Sequence, residues 1–205
     1  MTILLLARHG ITDLTGKKLY GRSADVHLSE EGRRQSEELG RRLASLRPAA
    51  LYTSPIERCR ETAELVGEAC GLDPVELPEV MEIDYGRWAG RSFASLARTR
   101  LWRRVHRIPS GVRFPGGETL AEVQRRVVGA LEEIAEGRPR GLVVVVSHGD
   151  PIAMAIAHYA GVHIDLFQRL QVSPASVSAV ALDDGPPKVL RVNDTGSLED
   201  LRPRR

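Results

Sequence analysis

Residues Thr2 to Ala7 form a continuous apolar run that stops abruptly at Arg8-His9-Gly10, the pattern of a strand buried on both faces in a parallel sheet. A second run, Leu142 to Val146, is strongly β-branched and stops at Ser147-His148-Gly149. A shorter one, Ala50 to Thr53, stops at Ser54-Pro55. Helical periodicity fills the gaps between them. Ser29 is placed to cap a helix through Leu39, Leu43 and Leu46, with Glu30 and Glu31 in its first turn. Ser54, Pro55 and Glu57 read as the start of another, carrying Cys59, Ala63, Val66 and Cys70 on one face and closing at Gly71. Thr119 with Glu122 forms a capping box before Val123, Val127, Leu131 and Ile134, and Asp150-Pro151 opens a helix through Ile152, Ala155, Ile156 and Tyr159.

Val177 to Leu182 and Lys188 to Val192 flank the turn sequence Asp183-Asp184-Gly185-Pro186-Pro187, which predicts a hairpin at the sheet edge. The stretch 84–117 lacks clear periodicity and is rich in arginine, glycine and proline, as expected of an insertion over the sheet. The polar residues 194–205 are expected to form a frayed tail, leaving 1–193 as one domain. Alternating strands and helices predict an α/β sandwich with a mostly parallel sheet.

Composition narrows this picture only slightly. The 205 residues suit one domain, and a net charge of +2 gives no global case for a nucleic-acid partner. Arg33, Arg34, Arg41 and Arg42 read as a solvated helix face. Two cysteines are too few for a disulfide framework, and the apolar N-terminal run is too short for a signal peptide or membrane span. A cytoplasmic protein with no membrane attachment is the expectation. Oligomeric state, monomer or homodimer, is not written in the sequence.

The chemistry lies at the strand ends. Ligands of open α/β sheets bind beyond the carboxyl ends of the strands. There the pattern places Arg8, His9, Ser54 with Arg58, and His148, with Gly10 and Gly149 leaving room for close backbone approach. Two histidines and two arginines suit a tetrahedral oxyanion carrying two charges. Neighbouring guanidinium groups disfavour the imidazolium form and leave a histidine nitrogen free to attack phosphorus. The leaving alkoxide needs a general acid, for which Glu82 is the first candidate and Asp84 the second.

Four segments, in order, carry a resemblance: Arg8-His9-Gly10, Ser54-Pro55-Ile56-Glu57-Arg58-Cys59-Arg60-Glu61-Thr62-Ala63, Glu82 with Tyr85-Gly86-Arg87-Trp88-Ala89-Gly90, and Ser147-His148-Gly149. The chain resembles the histidine phosphatase superfamily, in its phosphoglycerate mutase-like branch, from the first strand to about Asn193-Asp194. That resemblance implies a three-layer α/β/α sandwich. It also implies His9 as the phosphorylated nucleophile, Arg8, Arg58 and His148 as phosphoryl ligands, and Glu82 as proton donor. The family often continues its first motif with an acidic residue and later an asparagine. Ile11 and Thr15 stand there in this chain, with Thr15 able to offer a hydroxyl to phosphate. Gly21-Arg22, Asp25 to Leu28 and Gly32 keep the spacing of the following loop, making Gly21 a further phosphate-site candidate beside Gly149.

A phosphomonoester hydrolase acting on a small phosphorylated metabolite is therefore expected, with no cofactor and no metal. The alternatives are a cofactor-dependent phosphoglycerate mutase and a phospho-ligand-binding module. The mutases resembling this chain are longer around the substrate, and Phe114-Pro115-Gly116-Gly117-Glu118-Thr119 looks like the phosphatase members. Arg103-Arg104 counts the other way, as candidate ligands for a substrate carboxylate or second phosphate. His27, His106, His158 and His163 read as structural or surface residues. Gly10 to Lys18 fails as a P-loop, having one residue too many and no Ser or Thr after the lysine. Cys59 sits on an apolar helix face, where a thiol is inert. His148 and Asp150 lack the further ligands of a metal site.

Overall fold

The computed structural model describes residues 1–137 and 140–196. Its strands are β1 (Thr2–Arg8), β2 (Lys18–Leu19), β3 (Ala50–Thr53), β4 (Val75–Glu76), β5 (Arg91–Ser92), β6 (Gly141–Ser147), β7 (Val177–Leu182) and β8 (Lys188–Asp194). The helices are α1 (Glu30–Ala44), α2 (Glu57–Cys70), α3 (Phe93–Leu96), α4 (Arg100–Arg107), α5 (Leu120–Gly137) and α6 (Gly149–Tyr159). Six strands form one sheet in the order β4-β3-β6-β1-β7-β8, with β4, β3, β6 and β1 parallel and β7 and β8 antiparallel. The hairpin expected at the edge is β7–β8.

The apolar runs are continuous because each strand is covered on both faces. Leu4, Leu6, Val143 and Val145 pack with Val123, Val127 and Leu131 of α5 and Ile152 and Ile156 of α6. Ile3, Leu5, Ala7, Val144 and Val146 pack on the opposite side with Leu39 and Leu43 of α1 and Cys59, Ala63 and Val66 of α2. This period-two division gives the three layers.

Local signals place most helix ends. Ser29 caps α1 by accepting from the Gly32 N–H, although the helix closes at Ala44, before Leu46. Thr119 and Glu122 form the reciprocal box, at 2.8 and 3.2 Å. The start of α2 departs from expectation: it begins at Glu57 behind Ile56, whose side chain makes no cap, because the Ser54 hydroxyl lies 2.9 Å from Nε2 of His148 instead. The last sheet helix, α6, starts at Gly149 with His148 in the capping position, one residue before Asp150.

The region 84–117 contains β5, α3 and α4, and β5 pairs with β2. Arg42 is not part of a freely solvated face. It is half-buried, pairs with Asp194 at 3.0 Å and donates to the Asp194 carbonyl, so α1 holds the end of β8. Of the expected tail, Asp194 belongs to β8, and 197–205 lie outside the described residues.

Candidate active site

Register brings the candidate groups together. Arg8 is opposite Ser147 in the β1–β6 ladder and Thr53 is opposite Val146 in β3–β6, so three neighbouring strands end at one level. His9 continues the ladder by donating its N–H to the Ser147 carbonyl at 3.0 Å. Its Nδ1 lies 2.7 Å from the Gly10 carbonyl, which requires a proton on Nδ1 and leaves Nε2 as the lone-pair nitrogen. Nε2 accepts from Nε of Arg58 at 3.2 Å. Burial, then the charges of Arg58 and Arg8, hold the His9 pKa well below its ordinary value, and the ring stays neutral. Gly10 is required by packing against α1 and not by a ligand: a Cβ there would sit 2.4 Å from the Gly32 carbonyl oxygen.

Arg58 is fully buried, and its hydrogen-bond partners are neutral. One terminal nitrogen donates to the Gly21 carbonyl at 2.8 Å and lies 3.0 Å from Nδ1 of His148, while the ring of Tyr20 lies 4.6 Å from its guanidinium carbon. Its other terminal nitrogen has no partner among the described residues, and neither has Nε of Arg8. Buried donors left without an acceptor are costly, and two of them on adjacent guanidinium groups describe a seat for an anion. Arg8 itself is anchored by donating to the Val172 carbonyl at 2.6 Å. Gly149 faces it so closely that a Cβ would lie 3.3 Å from its guanidinium carbon. His148 accepts from Arg58 on Nδ1, so its Nε2 carries the proton and donates to Ser54. Burial and Arg58 lower its pKa too.

Arg8, Thr15, Gly21, Glu82 and Gly149 line a cavity of about 550 Å³; His9, Arg58 and His148, each no more than 1% exposed, are not among its lining residues but contact one another beside Arg8 and Gly21. The Thr15 hydroxyl accepts from the Thr12 N–H at 3.0 Å. The Glu82 carboxylate accepts from the Ile83 N–H at 2.9 Å, and burial with the nearby charge of Asp150 pushes its pKa up to about 7. Asp84, the second choice for the acid, does not line the cavity. Its carboxylate accepts from the Gly86 N–H at 2.8 Å and shapes a turn. Arg103 and Arg104, the candidate ligands for a second acidic group, are exposed and outside the lining.

Several residues have contacts at the site that their sequence pattern did not assign to them. Arg22 and Arg126 both donate to the Glu82 carbonyl, at 2.9 and 3.1 Å, and both pair with the Glu118 carboxylate, which also accepts from the Asp84 N–H. The Glu82 loop is thereby clamped. Asp150 lines the cavity and accepts from the Tyr85 hydroxyl at 2.9 Å. His106, read as structural, lines it as well. Among the described residues, no three His, Cys, Asp or Glu side chains converge as metal ligands do, and no helix is long and apolar enough to cross a membrane.

Residues 4–195 match the family model of the histidine phosphatase superfamily, branch 1. Phosphoserine phosphatase 1 of Hydrogenobacter thermophilus is 32% identical over 203 residues, 98% of this chain and 96% of that protein. A protein of Cronobacter sakazakii named a probable phosphoglycerate mutase, GpmB, is 30% identical over 91% of this chain and 87% of its own length. Among solved structures, Bacillus stearothermophilus YhfR superposes with a TM-score of 0.88 at 26% identity, covering 95% of this chain and 98% of that one.

Proposed function

The chain belongs to the histidine phosphatase superfamily and is a phosphatase of that kind; from this premise we infer that His9 carries the phosphoryl group, with Glu82 as general acid and base. The observation that carries the assignment is the His9 ring itself: neutral, with Nδ1–H held by Gly10 and its Nε2 lone pair among guanidinium donors that lack acceptors.

The steps follow from this arrangement. The phosphate of a monoester takes the open donors of Arg8 and Arg58 and displaces the Arg58–His9 hydrogen bond, so that Nε2 meets phosphorus. The Nε2 lone pair forms the P–N bond while the P–O ester bond breaks, and the departing oxygen takes the proton of Glu82. The positive charge developing on the ring is stabilised through Nδ1–H to Gly10, and Arg8, Arg58 and His148 stabilise the equatorial oxygens. After the alcohol leaves, water gives a proton to the Glu82 carboxylate and attacks phosphorus. The P–N pair returns to Nε2, orthophosphate departs and Glu82 is again protonated. Thr15, Gly21 and Gly149 complete the phosphate seat, Gly21 by holding Arg58 and Gly149 by leaving room for Arg8.

The proposal extends to a cytoplasmic enzyme, monomer or homodimer, acting on small phosphorylated molecules, with 84–117 as an insertion over the site of a 1–193 domain. Transfer to water is favoured over the mutase reading because Arg103 and Arg104, the candidate ligands for a second acidic group, lie outside the cavity. The test is release of orthophosphate from p-nitrophenyl phosphate with chelator present, run beside a phosphoglycerate mutase assay with and without bisphosphoglycerate. Chelator-resistant hydrolysis exceeding mutase turnover supports the reading; the reverse order overturns it.

A further inference from the structure

The cavity is divided by chemistry. Its charged groups Arg8, Glu82 and Asp150 gather at the carboxyl edge of the sheet. The rest of the lining includes the apolar Leu19 of β2, Phe93 of α3, Trp102 and Val105 of α4, Phe114 and Phe167, with the polar His106 edge-on to Trp102 at 4.6 Å. The aromatic rings are contiguous, with Phe93 and Trp102 centred 5.8 Å apart and Phe114 meeting Tyr85 edge-on at 4.9 Å. Phe93 and Trp102 are only half-buried, whereas Val105, Phe114 and Phe167 are buried. Large aromatic side chains left part-exposed along the wall of a deep cavity are surface waiting for an apolar occupant. Lys18, His106 and Gln168, which also line it, are solvent-exposed.

We propose that the alcohol carried by the phosphate is bulky and apolar, an aryl or arylalkyl group seated against Phe93 and Trp102, and that such monoesters are preferred to small carboxylate-bearing ones. This rests on the reading of His9 as the phosphoryl acceptor. A three-carbon acid would fill little of the roughly 550 Å³ and would leave the part-exposed rings of Phe93 and Trp102 uncovered. An arylalkyl group loses only unfavourable hydration on entering. The reaction is unchanged: water and the ester yield orthophosphate and the free alcohol.

The test compares propyl phosphate with 3-phenylpropyl phosphate, whose leaving alkoxides are chemically alike, and with phosphoserine and 3-phosphoglycerate. The wild type is expected to favour the phenylpropyl ester over each of the others by at least about tenfold in kcat/KM. Trp102→Ala and Phe93→Ala, each checked for folding by circular dichroism, are expected to shrink the phenylpropyl-to-propyl ratio. A wild-type ratio near one, or preference for either carboxylated ester, overturns the proposal without requiring any variant to fold. Absence of hydrolysis for all four esters, together with no phosphoenzyme, fails the His9 reading and takes this one with it.

Discussion

Nε of Arg58 donates to Nε2 of His9 across 3.2 Å while the other nitrogen of the ring is fixed by Gly10 at 2.7 Å. The resting ring is thus locked in one tautomer, aimed by a cation whose charge adds to burial in disfavouring its protonation. A permanent charge is needed, because Arg58 is fully buried with neutral partners and a deprotonatable group would shed its proton there.

Arg58→Gln is expected to raise the His9 pKa toward its ordinary value by removing the second-largest cause of its depression. It should also lower kcat/KM by about 10²–10³, the cost of losing an electrostatic donor at the transferring group. Histidine ring titration by NMR and steady-state kinetics check both. An unmoved ring titration contradicts the coupling.

The pH profile follows from signs. In the proposed mechanism Glu82 is protonated when it serves the leaving group, and its pKa is pushed up to about 7, so kcat/KM should fall as pH rises through about 7. His9 is held well below 6.5 and stays competent in mild acid, leaving the acid limb near pH ~6 to second ionisation of the substrate phosphate. Glu82→Gln should remove the alkaline limb. It should slow alkyl esters by about 10²–10⁴ and p-nitrophenyl phosphate much less, since that leaving group needs no acid. Equal losses on both substrates would mean Glu82 is not the proton donor.

The same shift has a cost in stability. A carboxyl whose folded pKa lies near 7 against an ordinary 4.5 loses nothing below pH 4.5 and destabilises the fold fully above pH 7. Glu82→Gln is therefore expected to raise Tm at pH 8 by about 2–4 °C, equivalent to ~1 kcal/mol, and to leave it unchanged at pH 4.5. Calorimetry at the two pH values reads the difference, and a gain confined to pH 4.5 would reverse the sign.

Glu118 is a positioning residue acting through Arg22 and Arg126 on the Glu82 carbonyl. Glu118→Ala should loosen that clamp, lowering kcat by about tenfold to a hundredfold with little change in KM. A merely structural role predicts the Glu82 alkaline limb in its wild-type place; loosening of the loop predicts that it moves. The pH profile of the variant distinguishes the two.

Much of this was legible in the sequence where physics is local. Apolar runs that end at Arg8-His9 and Ser147-His148 announce strands covered on both faces, and Ser29, Thr119 and Glu122 announce their helices within a few residues. What stayed hidden depends on partners far along the chain. Ser54 reads as a cap until His148, 94 residues away, takes its hydroxyl. Arg126 is an ordinary residue of an amphipathic helix until it meets the Glu82 carbonyl 44 residues earlier, and Arg42 is one more surface arginine until it meets Asp194, 152 residues on. In 84–117 the elements run from two to eight residues, too short for periodicity to emerge.

Which atom carries the phosphoryl group decides the mechanism. Rapid quench of the enzyme with a ³²P-labelled monoester, followed by peptide mapping under alkaline conditions, reads it directly. An acid-labile adduct on the peptide containing His9, absent from His9→Ala, is the expected result. Label on any other residue, or an adduct that survives in His9→Ala, contradicts it.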